Sequence, residues 1–242
     1  MKSKTKKIGI IGGSGVENLL FMDGFKQAEV KTEYGEVTVK RGKVDGRAVV
    51  FLNRHGWEYT PPSQVNYRAN IMALKDEEVN CILATAAVGS LHKKLQPGDL
   101  VILEDFIDLT RQRAGAFKNS SFLDMSTPYS HFINQMIQHA AKKIAAEVHP
   151  RAIYACTEGP RFETRAEIRM LDGLGADVVG MTQVPEVVLA AEAGIPYGVI
   201  GVVTNYAAGV TTKRVSSNEV LVMMRDRAHE LSRLVHEVVK SL

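Results

Sequence analysis

Apolar residues along this chain gather in short continuous runs broken by Gly, Pro, Ser and Asn, and in longer stretches with helical spacing. Lys7 to Ile11 is a buried-type strand that ends in the tight loop Gly12-Gly13-Ser14-Gly15. Ala28 to Val39 and Arg47 to Leu52 carry Val and Thr in partial alternation, as antiparallel hairpin strands do. Pro61-Pro62-Ser63 predicts a helix opening, with Ser63 as its cap, running to about Leu74. Cys81 to Val88 and Leu100 to Ile107 read as two more strands, and residues 111 to 126 lack any period and read as a long loop. Phe132, Ile133, Met136, Ile137, Ala140, Ala141 and Ile144 form a helical stripe over His131 to Glu147.

Ala152 to Cys156 is the next strand, and Thr164 with Glu167 is a capping box that starts a helix. Val178 to Met181 and Pro196 to Thr204 read as strands around a helix over Pro185 to Ala193. Ser216 with Glu219 is a second capping box, opening a helix that runs almost to Leu242. Strands and helices alternate after residue 63, while the first third is richer in hairpins. The expected fold is therefore α/β, a single domain over residues 1–242, with a mixed and mainly parallel central sheet surrounded by helices.

Composition narrows the function classes. Hydrophobic residues make up 45% and charged residues 24%, an ordinary globular balance. The net charge of +3 is too even for a nucleic-acid footprint. Lys2, Lys4, Lys6 and Lys7 precede an apolar run cut short by Gly12-Gly13, so they read as a solvated lead rather than a signal peptide. No run approaches the roughly 20 apolar residues of a membrane span. Cys81 and Cys156 sit in strand-like runs without metal-ligand spacing and read as reduced core thiols, so a cytoplasmic setting is expected.

Several groups could carry chemistry. The glycine loop after the first strand could offer N–H groups to an anion, although it is neither a dinucleotide fingerprint nor a P-loop. Arg54 brings a planar fork suited to phosphate oxygens, and His55 a further donor or a proton near neutral pH. Alone, the same residues suit a surface arginine and a hydrogen-bonded loop histidine equally well. Phe162 beside Glu163 can stack on a flat ring and accept from a ring N–H, though Phe162 and Met181 also suit plain core packing. Met181-Thr182 and Thr204-Asn205 end strands, the edge at which open α/β sheets bind ligands. Together they predict one crevice with anion donors, a flat apolar patch and paired amide and carboxylate groups.

The runs Gly12-Gly-Ser-Gly15, Arg54-His-Gly56, Asn66-Tyr-Arg-Ala-Asn70, Gly89-Ser-Leu91, Pro97-Gly-Asp99, Glu158-Gly-Pro-Arg161, Met181-Thr182, Val184-Pro-Glu186 and Thr204-Asn205 occur in this order across nearly the whole chain. They resemble the methylthioadenosine phosphorylases and the related trimeric purine nucleoside phosphorylases. The resemblance implies phosphorolysis of a purine nucleoside, with inorganic phosphate as co-substrate and no metal or organic cofactor. It also implies a homotrimer, with pairing into hexamers left open, and no nucleic-acid or membrane partner. Ser14, Arg54, His55 and Thr182, with backbone near Ala87, would hold phosphate; Met181 would lie under the ribose; Phe162, Glu163 and Asn205 would frame the base. Asn205, Glu163 and His55 would carry the catalytic roles, and Phe122, in the long loop, would stand near the sugar's 5′ end.

Two departures from the family pattern matter. Ala86 stands where members usually have a phosphate-contacting Ser or Thr, and Thr85 beside it should point to the other strand face. Adenine-directed members carry Thr-Asp-Tyr-Asp where this chain has Thr204-Asn205-Tyr206-Ala207, and often Ser where it has Glu163. An amide and a carboxylate at those places imply a 6-oxopurine base, because reading the wrong edge leaves buried groups unpaired. Inosine, guanosine and 5′-methylthioinosine all fit. The alternatives are a methylthioadenosine phosphorylase, a nucleoside hydrolase, a non-catalytic nucleoside-binding protein and, from the glycine loop alone, a dinucleotide-binding oxidoreductase.

Overall fold

The structure, a computed structural model, describes residues 7–13, 26–111, 113, 116–118 and 122–242. Lys2, Lys4, Lys6 and Ser14 lie outside the described residues. Among the described residues nine strands belong to one sheet: β1 (Ile8–Gly12), β2 (Lys26–Thr32), β3 (Gly35–Val44), β4 (Arg47–Asn53), β5 (Cys81–Ser90), β6 (Leu100–Asp108), β7 (Val148–Cys156), β8 (Val178–Gly180) and β9 (Tyr197–Tyr206). Their order is β2-β3-β4-β1-β5-β8-β7-β6-β9, and β9 pairs back onto β5. The second half of the sheet therefore curls into a closed ring of five strands, while β2, β3, β4 and β1 extend from it as a twisted wing.

The expected mixture is present, but parallel pairing dominates only narrowly. Parallel ladders join β1 to β4 and β5, β5 to β9, and β7 to β6 and β8. Antiparallel ladders join β2 to β3, β3 to β4, β5 to β8 and β6 to β9. β5 and β9 are buried along almost their whole length, which is why both read as unbroken apolar runs rather than alternating ones.

Helices cover both faces. α1 (Tyr67–Asp76) and α4 (Gln183–Glu192) place Ile71, Leu74, Val187 and Leu189 in one core. α2 (His131–Lys143) and α5 (Ser217–Ser241) place Ile133, Ile137, Leu231, Leu234 and Val235 in a second. Alternation along β5 serves both, with Ile82, Ala84 and Ala86 facing the first core and Leu83 the second. Each fully buried Ile or Leu contributes about 1.5–3 kcal/mol of apolar burial. α3 (Arg165–Gly173) closes a smaller cluster with Ile168 and Leu171.

Several boundaries differ from the sequence reading, each for a local reason. The run 28–39 is two strands with a turn at Glu33-Tyr34. Pro62–Gln64 forms only a 3-10 turn, Val65 is extended, and Asn66 rather than Ser63 caps α1 by accepting from Ala69 N at 3.1 Å. α2 stops at Lys143 because Ala145 takes a left-handed conformation (φ 54°) that turns the chain into β7, already begun at Val148. The capping box at Thr164 and Glu167 is complete. At α5 only half of one forms: Ser216 accepts from Glu219 N, but the Glu219 carboxylate pairs with Lys213.

Candidate active site

The ends of β1, β4, β5, β8 and β9 open into one cavity of about 540 Å³. Parallel pairing of β4, β1, β5 and β9 brings their C-terminal ends to the same edge, and β8 meets the end of β5 in antiparallel register. The cavity is lined by Arg54, His55, Ala87 and Thr182, by Met181, and by Phe162, Glu163 and Asn205. Every residue expected at the site is thus gathered there except two. Ser14 lies outside the described residues. Phe122 does not line the cavity of its own chain.

Arg54 is only 2% exposed. Its Nε and one terminal nitrogen donate to the two oxygens of Glu186, each at 2.7 Å, and the other terminal nitrogen donates to the Thr85 carbonyl at 2.9 Å. Burial alone would pull the arginine's pKa down, but the Glu186 carboxylate more than offsets this and holds it above its ordinary value. A guanidinium has five N–H groups, and these three bonds leave two unused by them on a side chain that lines the cavity. A Cβ at Gly13 would stand 2.9 Å from the guanidinium, so glycine there is what lets the fork lie against the β1 loop.

Glu186 is itself fully buried, and Tyr197 donates its one hydroxyl proton to that carboxylate, with Gln183 Oε1 2.8 Å from the same hydroxyl oxygen. Burial, with Glu186 beside it, pushes the Tyr197 hydroxyl far above the usual phenol range, which keeps it a donor. His55 is 3% exposed and stacks on Tyr59 with ring centroids 5.0 Å apart. Its Nδ1 lies 2.8 Å from the Thr60 carbonyl, which can only accept, so Nδ1 carries a proton. The Thr182 backbone N–H donates to Tyr154 at 3.1 Å, and its hydroxyl accepts from Gln183 at 3.3 Å.

Ala86 is buried in the core and is absent from the lining, whereas Ala87 is present. The Thr85 hydroxyl is buried and accepts from Gly13 N at 3.3 Å. Neither residue replaces the missing hydroxyl at the cavity wall.

At the opposite wall a bulge shapes the surface. The register of β5 and β9 shifts between Val88 and Gly89, pairing Val88 with Val203 but Gly89 with Asn205. Thr204 is the extra residue, so Thr204 and Asn205 both line the cavity although they are neighbours on one strand. Asn205 Oδ1 accepts from the Thr204 hydroxyl at 2.8 Å and Nδ2 donates to the Tyr206 carbonyl at 3.0 Å, which fixes the amide's orientation and leaves one N–H. Glu163 Oε1 accepts from the Thr157 hydroxyl at 2.6 Å. Phe162 keeps 37% of its surface exposed.

Phe122 is fully solvent-exposed and stands outside this cavity. Val215, Ser217, Val220 and Leu221, around the start of α5, line the cavity instead. Helical spacing aims Val220 and Leu221 inward, whereas the aperiodic 109–126 connection carries nothing in its pattern that sets the direction of Phe122. Sequence reasoning gave no role to Glu186 or Arg113. A carboxylate within the apolar run Val184 to Leu189 signals that a buried cation must meet it, but not which of 30 basic residues does. Arg113 sits in an aperiodic loop and offers no such signal. Among the described residues no three His, Cys, Asp or Glu side chains are grouped to hold a metal ion, and no helix is long and apolar enough to cross a membrane.

Residues 7–240 match the Phosphorylase superfamily. The chain is 44% identical over 242 residues to a probable 6-oxopurine nucleoside phosphorylase of Moorella thermoacetica, covering 98% of this chain and 93% of that relative. It is 42% identical over 240 residues to the 6-oxopurine nucleoside phosphorylase of Pyrococcus furiosus, covering 95% and 90%. Among solved structures, methylthioadenosine phosphorylase from Schistosoma mansoni in complex with adenine superposes with a TM-score of 0.91 at 35% identity, covering 98% and 91%.

Proposed function

The chain belongs to the phosphorylase superfamily, and from that premise we propose that it splits 6-oxopurine nucleosides with inorganic phosphate, giving the free base and a ribose 1-phosphate or methylthioribose 1-phosphate. The observation that carries this reading is one cavity in which Arg54, His55 and Thr182 share the walls with Phe162, Glu163 and Asn205. The enzyme is a pentosyltransferase with phosphate as its only co-substrate.

In this mechanism the bond between the sugar C1′ and the base N9 lengthens first. Its electron pair leaves with the purine, and C1′ gains oxocarbenium character. A phosphate oxygen then closes on C1′ from the opposite face. Arg54, clamped by Glu186, presents its two remaining N–H groups to phosphate, with the Thr182 hydroxyl and the His55 ring beside it. Because the guanidinium is already oriented, little reorganisation accompanies the reaction. Met181 floors the sugar. Phe162 stacks on the base, the Glu163 oxygen not held by Thr157 accepts the N1–H, and the Asn205 amide takes up charge at O6 and N7. An adenine ring would present an acceptor at N1 to Glu163, leaving that carboxylate unpaired, which argues against the methylthioadenosine reading.

A homotrimer in the cytoplasm completes the proposal, and the exposed Phe122 and Leu123 supply apolar surface for such an assembly to cover. Base release from inosine, guanosine, 5′-methylthioinosine, adenosine and 5′-methylthioadenosine, each with and without phosphate, tests it. Phosphate-dependent release from the first three is expected. Faster release from the adenine nucleosides overturns the base assignment, and release indifferent to phosphate makes the enzyme a hydrolase.

A further inference from the structure

The 109–126 connection sends one cationic side chain into the protein. Arg113 has 3% of its side chain exposed. One terminal nitrogen donates to the carbonyls of Met181 at 2.6 Å and Val184 at 2.7 Å. The other donates to the carbonyls of Glu158 at 2.8 Å and Thr157 at 3.2 Å. The Glu158 carboxylate is 3.4 Å from Nε, and the guanidinium lies 5.6 Å from the centroid of the Tyr67 ring. The four carbonyls belong to two segments: 181–184, which leads from β8 into α4, and 157–158, which opens the loop that carries Phe162 and Glu163.

Taking a guanidinium out of water is costly, and an apolar side chain of similar size would fill the space with less penalty. What a planar fork provides, and an apolar side chain cannot, is a fixed distance and angle between two separate pieces of backbone. The 181–184 side has other supports, since Tyr154 holds Thr182 N and Tyr197 holds Gln183. On the 157–163 side, Thr157 N donates to the Gly180 carbonyl at 2.9 Å and the Glu158 carboxylate accepts from Arg111 N at 2.8 Å, and the Arg113 fork adds the link from this loop to the 181–184 backbone. Its backbone passes so close to Met181 that a Cβ on Gly159 would stand 2.5 Å from the sulfur, so a small outward shift of this loop carries Glu163 and Phe162 away from the sugar floor.

We propose that Arg113 is a positioning residue that sets the base-reading loop against the ribose floor and thereby governs affinity for the purine while leaving the phosphate end unchanged. This rests on the assignment of Phe162 and Glu163 to the base. The fork's two arms satisfy opposite walls, and the group that anchors phosphate in the proposed mechanism, Arg54, is held by Glu186 and Thr85 with no contribution from Arg113.

Two variants test it by calorimetric titration with hypoxanthine and, separately, with inorganic phosphate. Arg113→Lys keeps a positive charge on a long stem but lacks the fork, and Arg113→Met keeps the apolar stem alone; the lysine variant carries the test where the methionine variant fails to fold. Loss of the bonds to one wall predicts hypoxanthine binding weakened about tenfold in Arg113→Lys, with phosphate binding within about twofold of the parent. Parallel loss of both ligands, or unchanged binding of both, overturns the proposal. Failure of the base assignment is distinguishable, because the unaltered chain would then not bind hypoxanthine at all.

Discussion

Arg54 reaches the cavity from the end of β4 with 2% of its surface exposed, whereas Phe162, on the connection between β7 and α3, keeps 37%. Arg54 is gripped by a buried carboxylate and a strand carbonyl, and the carboxylate is gripped in turn by Tyr197. Glu163, next to Phe162, is held by one threonine hydroxyl, and its loop by Arg113 from another loop. In the proposed reaction phosphate is common to every substrate, so its site can be built into the sheet and locked there. The base is what differs between substrates, and its readers sit on a loop and at a bulge. Altering them need not disturb the core.

The contrast is broken or sharpened by substitution at each end. Glu186→Ala leaves the Arg54 charge buried without its carboxylate and should cost about 3–5 kcal/mol of stability in urea unfolding. A loss below about 1 kcal/mol would show that the clamp is not a structural part of the phosphate end. At the other end, Asn205→Asp takes the amide donor from the Tyr206 carbonyl and should cost about 1–3 kcal/mol of stability, less than Glu186→Ala, while shifting the kcat/KM ratio of adenosine to inosine upward by about 10- to 100-fold. An unmoved ratio would remove Asn205 from the base readers.

A smaller change is expected for Thr157→Val, which frees the Glu163 oxygen now held at 2.6 Å. Nucleoside KM should rise about fivefold with phosphate KM constant, the worth of one hydrogen bond of about 1 kcal/mol. A rise in both constants would mean that the two ends are coupled through the loop. The smallest effect belongs to the α3 cap. Arg161, together with the Thr164 backbone N–H, holds the Glu167 carboxyl down to about 2 from an ordinary 4.5. A depressed folded pKa adds stability that is complete above about 4.5 and is lost as pH falls through about 2. Thermal melts of Glu167→Gln should therefore sit below the parent at neutral pH and converge with it across that acid window. Curves that stay parallel would exclude the linkage.

Much of this was legible in the linear pattern, and the misses share a cause. Gly12-Gly13, Arg54-His55, Met181-Thr182 and Thr204-Asn205 each announced a strand end by the change from an apolar run to small or polar residues, and the cavity gathers Gly13 and both members of the other three. The capping box at Thr164 was readable because both of its members lie within one helical turn. The apparent second box was half wrong because Glu219 found Lys213, a competing cation that spacing alone could not rank. Residues 111–126 have no period from which a side-chain direction can be inferred, so the pattern alone sets no direction for Phe122.

By itself the sequence determined which segments are strands and helices, which strand ends carry polar chemistry, and which purine edge an amide and a carboxylate can read. Those properties depend on side-chain type and on spacing within one segment. Only the tertiary structure decided that β9 returns to β5 and closes a ring, that Thr204 bulges so that two neighbours face one cavity, that Glu186 is the anion beside Arg54, and that Arg113 joins two walls. Each of these joins positions distant along the chain. Such pairings are selected by the register and packing of the whole sheet, which makes them global properties that no local period encodes.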